Sequence, residues 1–575
     1  MQEKTISDIL NEIGALLEIK GENPFKSKAY YNAARIISAV EDLHAIVKNK
    51  ELKKIKGIGD AIASKIEEYI STGSIEYLEN LKKEIPPSLL ELLEVPNLGP
   101  KKIKVLYDTL GITNLGELEY ACRENRLITL PNFGEKTQEK ILKGIEFLKR
   151  HKGEYLLGDV YAQAQSIKER LLKFIKEEDI EICGSIRRKK EVVKDIDILV
   201  THEAPDSITK FFITLPEIEE VLLTGETKTS CRMKSGVEVD LRIVEKISFP
   251  YAIMYFTGSK EHNVRLRSIA KSKNWRLNEY GLFEGENLIK CDSEKEIYHV
   301  LGLQFIPPEL REDMGEIEAA LKKEIPQLID LQDIKGIFHI HSDFSDGIDT
   351  IEKLCIKAKK MGMSYIGISD HSKSAYYAGG LKTDDVLKQW ALIDSLNKKE
   401  QDFYIFKGIE SDILVDGSLD YDESILKGFD FVIASIHSNF NMKKEEMEKR
   451  LIKAIENPYT TMLGHPTGRL LLSRDGYDVD IKKIIDACAS NHVLIELNAN
   501  PYRLDLDWRH LRYAREKGIL ISINPDAHSA DGFYDIFYGV GIARKGWLEK
   551  KDVLNAKTLN DIKDTLIHLK RLKGI

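Results

Sequence analysis

Over residues 1–90 apolar positions recur every three to four residues, as in "TISDILNEIGALLEI" and "KAYYNAARIISAVEDL", the period of helices that bury one face. In the middle of the chain "DIDILV" (195–200) and "GVEVDLRIV" (236–244) alternate with period two and read as strands. A charged stretch, "PPELREDMGEIEAALKKEIPQL" (307–328), reads as a helix fit to be a linker. Beyond it short apolar runs ("GIFHIHS", "SYIGISDH", "FYIFKGIESD", "FDFVIASIHS", "TMLGHP", "HVLIELNAN", "ILISINPDAH") alternate with helical segments such as "TIEKLCIKAKKM" and "DIKKIIDACAS". Seven β runs with helices between them predict a parallel sheet, closed or nearly closed into a barrel.

A chain of 575 residues is too long for one core, so three to four domains are expected. No apolar stretch approaches membrane-spanning length, and "MQEKTISDIL" lacks the basic-then-apolar pattern of a signal. The expectation is a cytoplasmic protein without membrane contact, monomeric for want of any oligomer signal. Six scattered cysteines with no CxxC pair read as reduced thiols. The net charge is −8, and residues 1–150 balance at 23 basic against 23 acidic side chains. Contact with DNA therefore has to come from local devices rather than from a basic field.

One such device is "IKGIGDAIASKIEEYI". Gly57 and Gly59 allow a tight turn with positive φ, and a helix begins at once, aiming backbone N–H groups at an anion. An ordinary helical turn explains one copy equally well. The order recurs, however, in "VPNLGPKKIKVLY" around Gly99 and "LPNFGEKTQEKIL" around Gly134, with Asn97 and Asn132 in the first glycine's place. Three copies resemble helix–hairpin–helix motifs, which bind DNA without reading its sequence.

In "CGSIRRKKEVVKDIDILV" (183–200) strand alternation puts Asp195 and Asp197 on one face. Adjacent carboxylates repel unless cations neutralise them, and Asp240 on a second strand completes such a cluster. Gly184 and Ser185 open a loop suited to a triphosphate, with Arg188 as a charged clamp. Residues 1–315 resemble an X-family DNA polymerase, the group that includes polymerase beta: "GS…DID…VDLR" is similar to its nucleotidyltransferase palm, and "YFTGSKEHNVRLR" and "NEYGLF" to its nucleotide-binding segment.

The resemblance implies that Asp195, Asp197 and Asp240 hold two Mg²⁺ or Mn²⁺ ions. Ser185 and Arg188 would then bind the triphosphate, Tyr255, Phe256 and Gly258 line the sugar, and Asn263 and Arg267 face the base pair and template. Arg242 and Glu279 match a pair that moves as the enzyme closes. It further implies a deoxyribose-phosphate lyase domain with Lys65 as the Schiff-base lysine and Lys26 and Tyr30 at the 5′-phosphate. Departures from polymerase beta are Lys194, Lys260, Glu238 and Ala61, at positions of glycine, aspartate, arginine and lysine.

His339 and His341 stand two apart at the end of an apolar run, and His371, Glu410, His437, His465, Asp526 and His528 end the runs that follow. In a parallel barrel those ends share the catalytic face. Imidazoles and carboxylates gathered there are ligands for Zn²⁺, Mn²⁺ or Fe²⁺. The pattern resembles the PHP (polymerase and histidinol phosphatase) domain, a distorted (β/α)7 barrel, which implies two or three Mn²⁺, Zn²⁺ or Fe²⁺ ions held by these eight residues and Asp346.

The fold expected is thus multidomain: a helical lyase-like DNA-binding domain (1–90), a fingers-like helix–hairpin–helix domain (91–150), an α+β nucleotidyltransferase palm (151–245) and a nucleotide-binding or thumb subdomain (246–315). A linker (316–333) and a PHP phosphoesterase domain (334–575) complete it. The whole looks like a bacterial X-family polymerase acting on gapped or primed double-stranded DNA with deoxynucleoside triphosphates, degrading 3′ ends at the barrel. Abasic-site endonuclease activity is a further expectation from the barrel. Two other readings stand beside it: a non-catalytic DNA-binding module delivering ends to a phosphoesterase, and a small-molecule phosphatase.

Overall fold

The computed structural model describes residues 6–575 except 39–42, 49–50, 56, 87, 96–97, 129, 132 and 150–152. The chain divides into two compact units, Met1–Lys149 and Arg150–Ile575. The first is helical. In helix Ile6–Lys20 the buried Ile9, Leu10, Ile13, Leu16 and Leu17 form one stripe. Helix Pro24–Ile37 starts where Asn23 accepts the amide of Phe25 and Pro24 needs no partner for an N–H. Both pack with Ile62 and Ile66 of helix Asp60–Thr72 and with Ile103 and Leu106 of helix Pro100–Leu110 in one core.

The three repeats fold alike. The amides of Ile55, Val95 and Leu130 bond to the carbonyls of Leu52, Leu92 and Leu127, and those of Ile58, Leu98 and Phe133 bond to Ile55, Val95 and Leu130 at 3.1 Å each. The carbonyls of Gly59, Gly99 and Gly134 then each accept two amides of the following helix. Gly57 takes φ +103°, as expected, but Gly59 is extended at φ −83°. Its carbonyl opens the helix, an N-cap role that requires β-region backbone. Asn97 and Asn132 lie outside the described residues.

In the second unit a five-stranded sheet runs Ile180–Ile182, Asp195–Val200, Glu238–Ile243, Lys228–Met233, Ile218–Thr224. The Asp195–Val200 and Glu238–Ile243 strands are parallel, with Asp195 beside Glu238 and Asp197 beside Asp240. Alternation buries Ile196, Ile198, Val239 and Leu241 with helix Leu157–Leu171 and leaves the acidic positions on the opposite face.

A further core gathers Tyr251, Met254, Leu266, Leu277 and Leu282. Ile317, Ala320, Ile325 and Leu328 belong to it, so residues 316–328 are packed and do not form a free connector. The charged helix expected over 307–328 is broken into a 3-10 turn, Pro308–Leu310, and a short helix, Glu316–Lys322. Two of its charges are not solvated: Arg311 and Glu316 are fully buried, paired with Glu294 at 2.8 Å and His262 at 2.7 Å. Those partners lie 17 and 54 residues away, beyond the reach of a local pattern.

The seven parallel strands follow one another in chain order from Gly336–Ile340 to Ile521–Asn524. The barrel is nearly closed: the amide of His341 reaches the Ala527 carbonyl at 2.9 Å, and the amide of Ala527 reaches that of His339 at 3.2 Å. Alternation splits the strands between two cores. Ile337, Ile366, Ile405, Val432 and Ile495 face the surrounding helices. Phe338, Tyr365, Phe406, Phe431 and Leu494 pack with Ile562 and Leu566 of the C-terminal helix Leu559–Leu572. A Cβ on Gly408 would lie 2.1 Å from the Phe431 ring, so no larger residue fits that turn of the barrel wall.

Candidate active sites

A cavity of about 490 Å³ opens beside the acidic face of the five-stranded sheet. Gly184, Ser185, Arg188, Tyr255, Phe256, Gly258, Asn263 and Arg267 all line it, with Asp195 and Asp197. So do Lys190, Lys194 and Lys260, and the cations suit an anionic ligand. Gly184 has φ +62°, and a Cβ there would lie 2.3 Å from Asp197 Oδ2, so loop and carboxylate close up only around glycine. Asn263 donates to the Tyr255 carbonyl at 2.7 Å, and its own carbonyl receives Arg267 Nε at 3.3 Å.

Burial, then the neighbouring Asp195 and Asp240, push the Asp197 carboxyl up to about 7; Asp195 is raised by burial and by Asp240. That frustration fits divalent cations as missing partners. Asp240, paired with Asp197 across the parallel strands, is engaged by two further side chains. Ser230 donates to its Oδ1 at 2.6 Å, and Lys228 lies 2.6 Å from its Oδ2. Neither residue was marked by its sequence; both lie on the strand antiparallel to that of Asp240. Arg242 sits 4.4 Å over the Phe256 ring, 4.0 Å from Asp240, and makes no ion pair with Glu279.

In the first unit Lys65 and Lys26 both face the ring of Tyr77, at 4.7 and 5.6 Å, and Tyr30 stacks on that ring at 6.4 Å. The expected lyase residues are therefore neighbours, with Tyr77, which sequence reasoning missed, between them. Lys65 also donates to the Ala61 carbonyl at 3.3 Å. Burial and then Tyr77 push the Tyr30 hydroxyl up to about 12.

At the barrel rim all nine expected ligands meet. Their donor atoms fall into four groups, His341–Asp346–His371–His528, His339–Glu410–His465, His339–His341–Asp526 and His371–Glu410–His437, each within 4.8 Å. Glu410 lies at the centre, 3.0 to 3.1 Å from His339, His437 and His465 and 2.9 Å from His371. The donors fit metal ions: both ring nitrogens of fully buried His341 lack a hydrogen-bond partner. Burial, then His528 and His371, hold that imidazole down to about 3, the neutral form a metal requires. Against burial, the surrounding histidines hold the Asp346 and Glu410 carboxyls far below their ordinary range.

The strand geometry differs from the simple alternation expected for His339 and His341. A bulge between Ile337 and Ile340 and φ +57° at His339 bring both rings to the site, 5.3 Å apart. Asp526 likewise sits at φ +51°. Behind the ligands, Glu496 accepts from His339 Nδ1 and Asp412 from His437 Nδ1, each at 2.6 Å. Such carboxylates fix imidazole tautomer and aim. Both escaped sequence reasoning, although a lone glutamate inside the apolar run "HVLIELNAN" marks a buried charge in need of a partner.

Family models match in the same order along the chain: a helix–hairpin–helix domain over residues 1–75, a SAM-like helix–hairpin–helix tandem over 89–146, a DNA polymerase beta thumb over 252–312 and a PHP domain over 338–500. The DNA polymerase/3′-5′ exonuclease PolX of Bacillus subtilis (strain 168) is 39% identical over 98% of this chain and 99% of its own. The chain belongs to the bacterial X-family DNA polymerases that carry a PHP domain.

DNA polymerase lambda of Arabidopsis thaliana is 26% identical over 54% of this chain and 62% of its own. A probable phosphatase of Caldanaerobacter subterraneus subsp. tengcongensis is 29% identical over 33% of this chain and 74% of its own. Polymerase and PHP families are metal-dependent, and the barrel supplies the donors such a family member needs. Among the described residues no helix is long and apolar enough to cross a membrane.

Proposed function

We propose that the protein is a DNA-repair polymerase that adds deoxynucleotides to a primer 3′-hydroxyl in short gaps and removes nucleotides from 3′ ends at its barrel. The observation that carries this reading is the cavity in which Arg188, Lys190, Lys194, Lys260 and Arg267 surround Asp195 and Asp197. Cations suit a triphosphate; carboxylates raised by burial and by one another suit divalent metals. Mg²⁺ or Mn²⁺ bound there supplies activation of the primer hydroxyl and charge stabilisation for departing pyrophosphate.

In this reading Asp240 stands nearest the primer terminus and would hold a metal together with Asp195 and Asp197, with Lys228 as its partner in the free protein. Ser185 and Arg188 hold the phosphates, Tyr255, Phe256 and Gly258 support the sugar, and Asn263 and Arg267 face the nascent pair. The nine barrel ligands would hold Mn²⁺, Zn²⁺ or Fe²⁺, and an ion bound there would supply Lewis-acid activation of a phosphodiester and of the attacking water. The glycine turns at Gly57, Gly59, Gly99 and Gly134 offer backbone amides to phosphates of gapped DNA, with no base read. Lys65 is the amine for an abasic sugar, and Lys26 and Tyr30 meet its 5′-phosphate.

A 5′-labelled primer on gapped duplex with Mn²⁺, with and without deoxynucleotides, tests the scheme on wild type, Asp240→Ala and His339→Ala. Extension is expected to disappear only in Asp240→Ala and 3′ shortening only in His339→Ala. A wild type that shortens but never extends would favour the non-catalytic DNA-binding module. One that cleaves a phosphomonoester but no DNA would favour the small-molecule phosphatase.

A further inference from the structure

One wall of the nucleotide cavity is steadied from the barrel. Lys545 ends the barrel helix Ile536–Lys545 and is fully buried. Its Nζ donates to Glu312 Oε1 at 2.5 Å and to the carbonyls of Arg188 and Glu309 at 3.2 and 3.4 Å. The same Glu312 oxygen accepts Arg188 Nε at 3.1 Å, while Arg188 Nη1 donates to the Thr257 carbonyl at 2.6 Å. Among the described residues the Nη2 of Arg188 has no protein partner, and Arg188 lines the cavity.

We propose that Lys545 is a positioning residue of the polymerase site, a barrel side chain that sets the place of Arg188 and the net charge around it. Glu312 alone would cancel the guanidinium. With Lys545 on the same oxygen the trio keeps one net positive charge beside the cavity, and the free guanidinium edge remains for a phosphate. Glu312 stays ionised: burial opposes this, but Lys545 and Arg188 hold its carboxyl below the ordinary range.

The residue after Arg188 is pinned from the barrel too. Lys189 takes φ +54° and lays its amine 4.2 Å over Tyr161 and 4.4 Å over Phe537. Nearby, Arg469 of the barrel lies 3.7 Å from Glu191. The segment that binds the triphosphate is thus held through its backbone, its guanidinium and its next side chain by groups far along the chain. Glu312 and Lys545 are 124 and 357 residues from Arg188.

The inference rests on the polymerase reading of the cavity. Steady-state single-nucleotide insertion would compare wild type, Lys545→Met and Lys545→Met/Glu312→Gln in the full chain, with 3′ shortening as a second readout. Lys545→Met is expected to raise the nucleotide KM about tenfold, the size of one charge-assisted hydrogen bond. kcat should stay within about twofold of wild type, because Lys545 touches no reacting group, and 3′ shortening should be unchanged. Adding Glu312→Gln, which restores the net charge beside Arg188, is expected to bring KM back towards wild type. A wild-type KM in Lys545→Met would overturn the proposal. So would a joint loss of KM, kcat and shortening that Glu312→Gln does not repair. A wild type that extends no primer overturns the polymerase reading, and this inference with it.

Discussion

Asp197→Asn is expected to stabilise the metal-free protein at pH 8 while abolishing primer extension. The Asp197 carboxyl is moved from its ordinary 3.8 to about 7 by burial and by Asp195 and Asp240. Between roughly pH 4 and pH 7 the folded chain therefore holds a proton that the unfolded chain has lost, so stability falls as pH rises through that window. Below it both states are protonated and the group contributes nothing. Above it the cost of keeping the carboxylate in place is ~4 kcal/mol, at about 1.4 kcal/mol for each pH unit. A neutral amide of the same shape escapes all of that cost at pH 8 and the smaller cost of about 1.7 kcal/mol already present at pH 5.

Thermal unfolding with chelator at both pH values measures this directly. The variant should melt several degrees above wild type at pH 8 and above it by less than half that margin at pH 5, and Mg²⁺ should raise the wild-type midpoint more than the variant's. Equal midpoints at pH 8 would refute the reasoning, since the carboxylate would then carry no strain. An equal gain at both pH values would refute it too, because the benefit would come from packing or hydrogen bonding and not from charge.

Gly184→Ala is expected to cost at least about 100-fold in extension, because a Cβ at φ +62° and 2.3 Å from Asp197 Oδ2 must displace the loop or the carboxylate; 3′ shortening should persist. Lys65→Ala is expected to abolish borohydride-trapped crosslinking to abasic-site DNA and to leave extension intact; trapping that survives would remove Lys65 from the lyase reading. Glu496→Gln weakens the partner that holds His339 Nδ1 at 2.6 Å, so the Mn²⁺ needed for half-maximal shortening should rise about 10- to 100-fold.

What could be read from the sequence follows from how far apart its determinants lie. The barrel was legible because each strand announces itself as a short apolar run with a ligand at its end, so spacing gathers His339, His371, His437 and five others on one rim, while Asp346 came only with the family resemblance. The palm was legible for the same reason: Asp195 and Asp197 share a face by period, and Gly184 and Ser185 lie just upstream, opening a helical turn, Gly184–Arg187, where a loop was expected. Where a residue's role depends on a partner far along the chain, pattern fails. Glu312 and Arg311 look like the solvated charges of a linker until Lys545, Arg188 and Glu294 are brought against them.

The same limit hid Lys228 and Tyr77, each made relevant by a neighbouring element. It also hid the bulge at His339, because a two-residue period assumes regular pairing, whereas three steps from Ile337 to Ile340 face two from Ile366 to Ile368. The place of Arg188 depends on distant elements, because the thumb-region glutamate that holds it is itself neutralised by a lysine of the barrel. Removing the barrel from this polymerase would therefore strip the nucleotide site of a cation as well as the chain of a second active site.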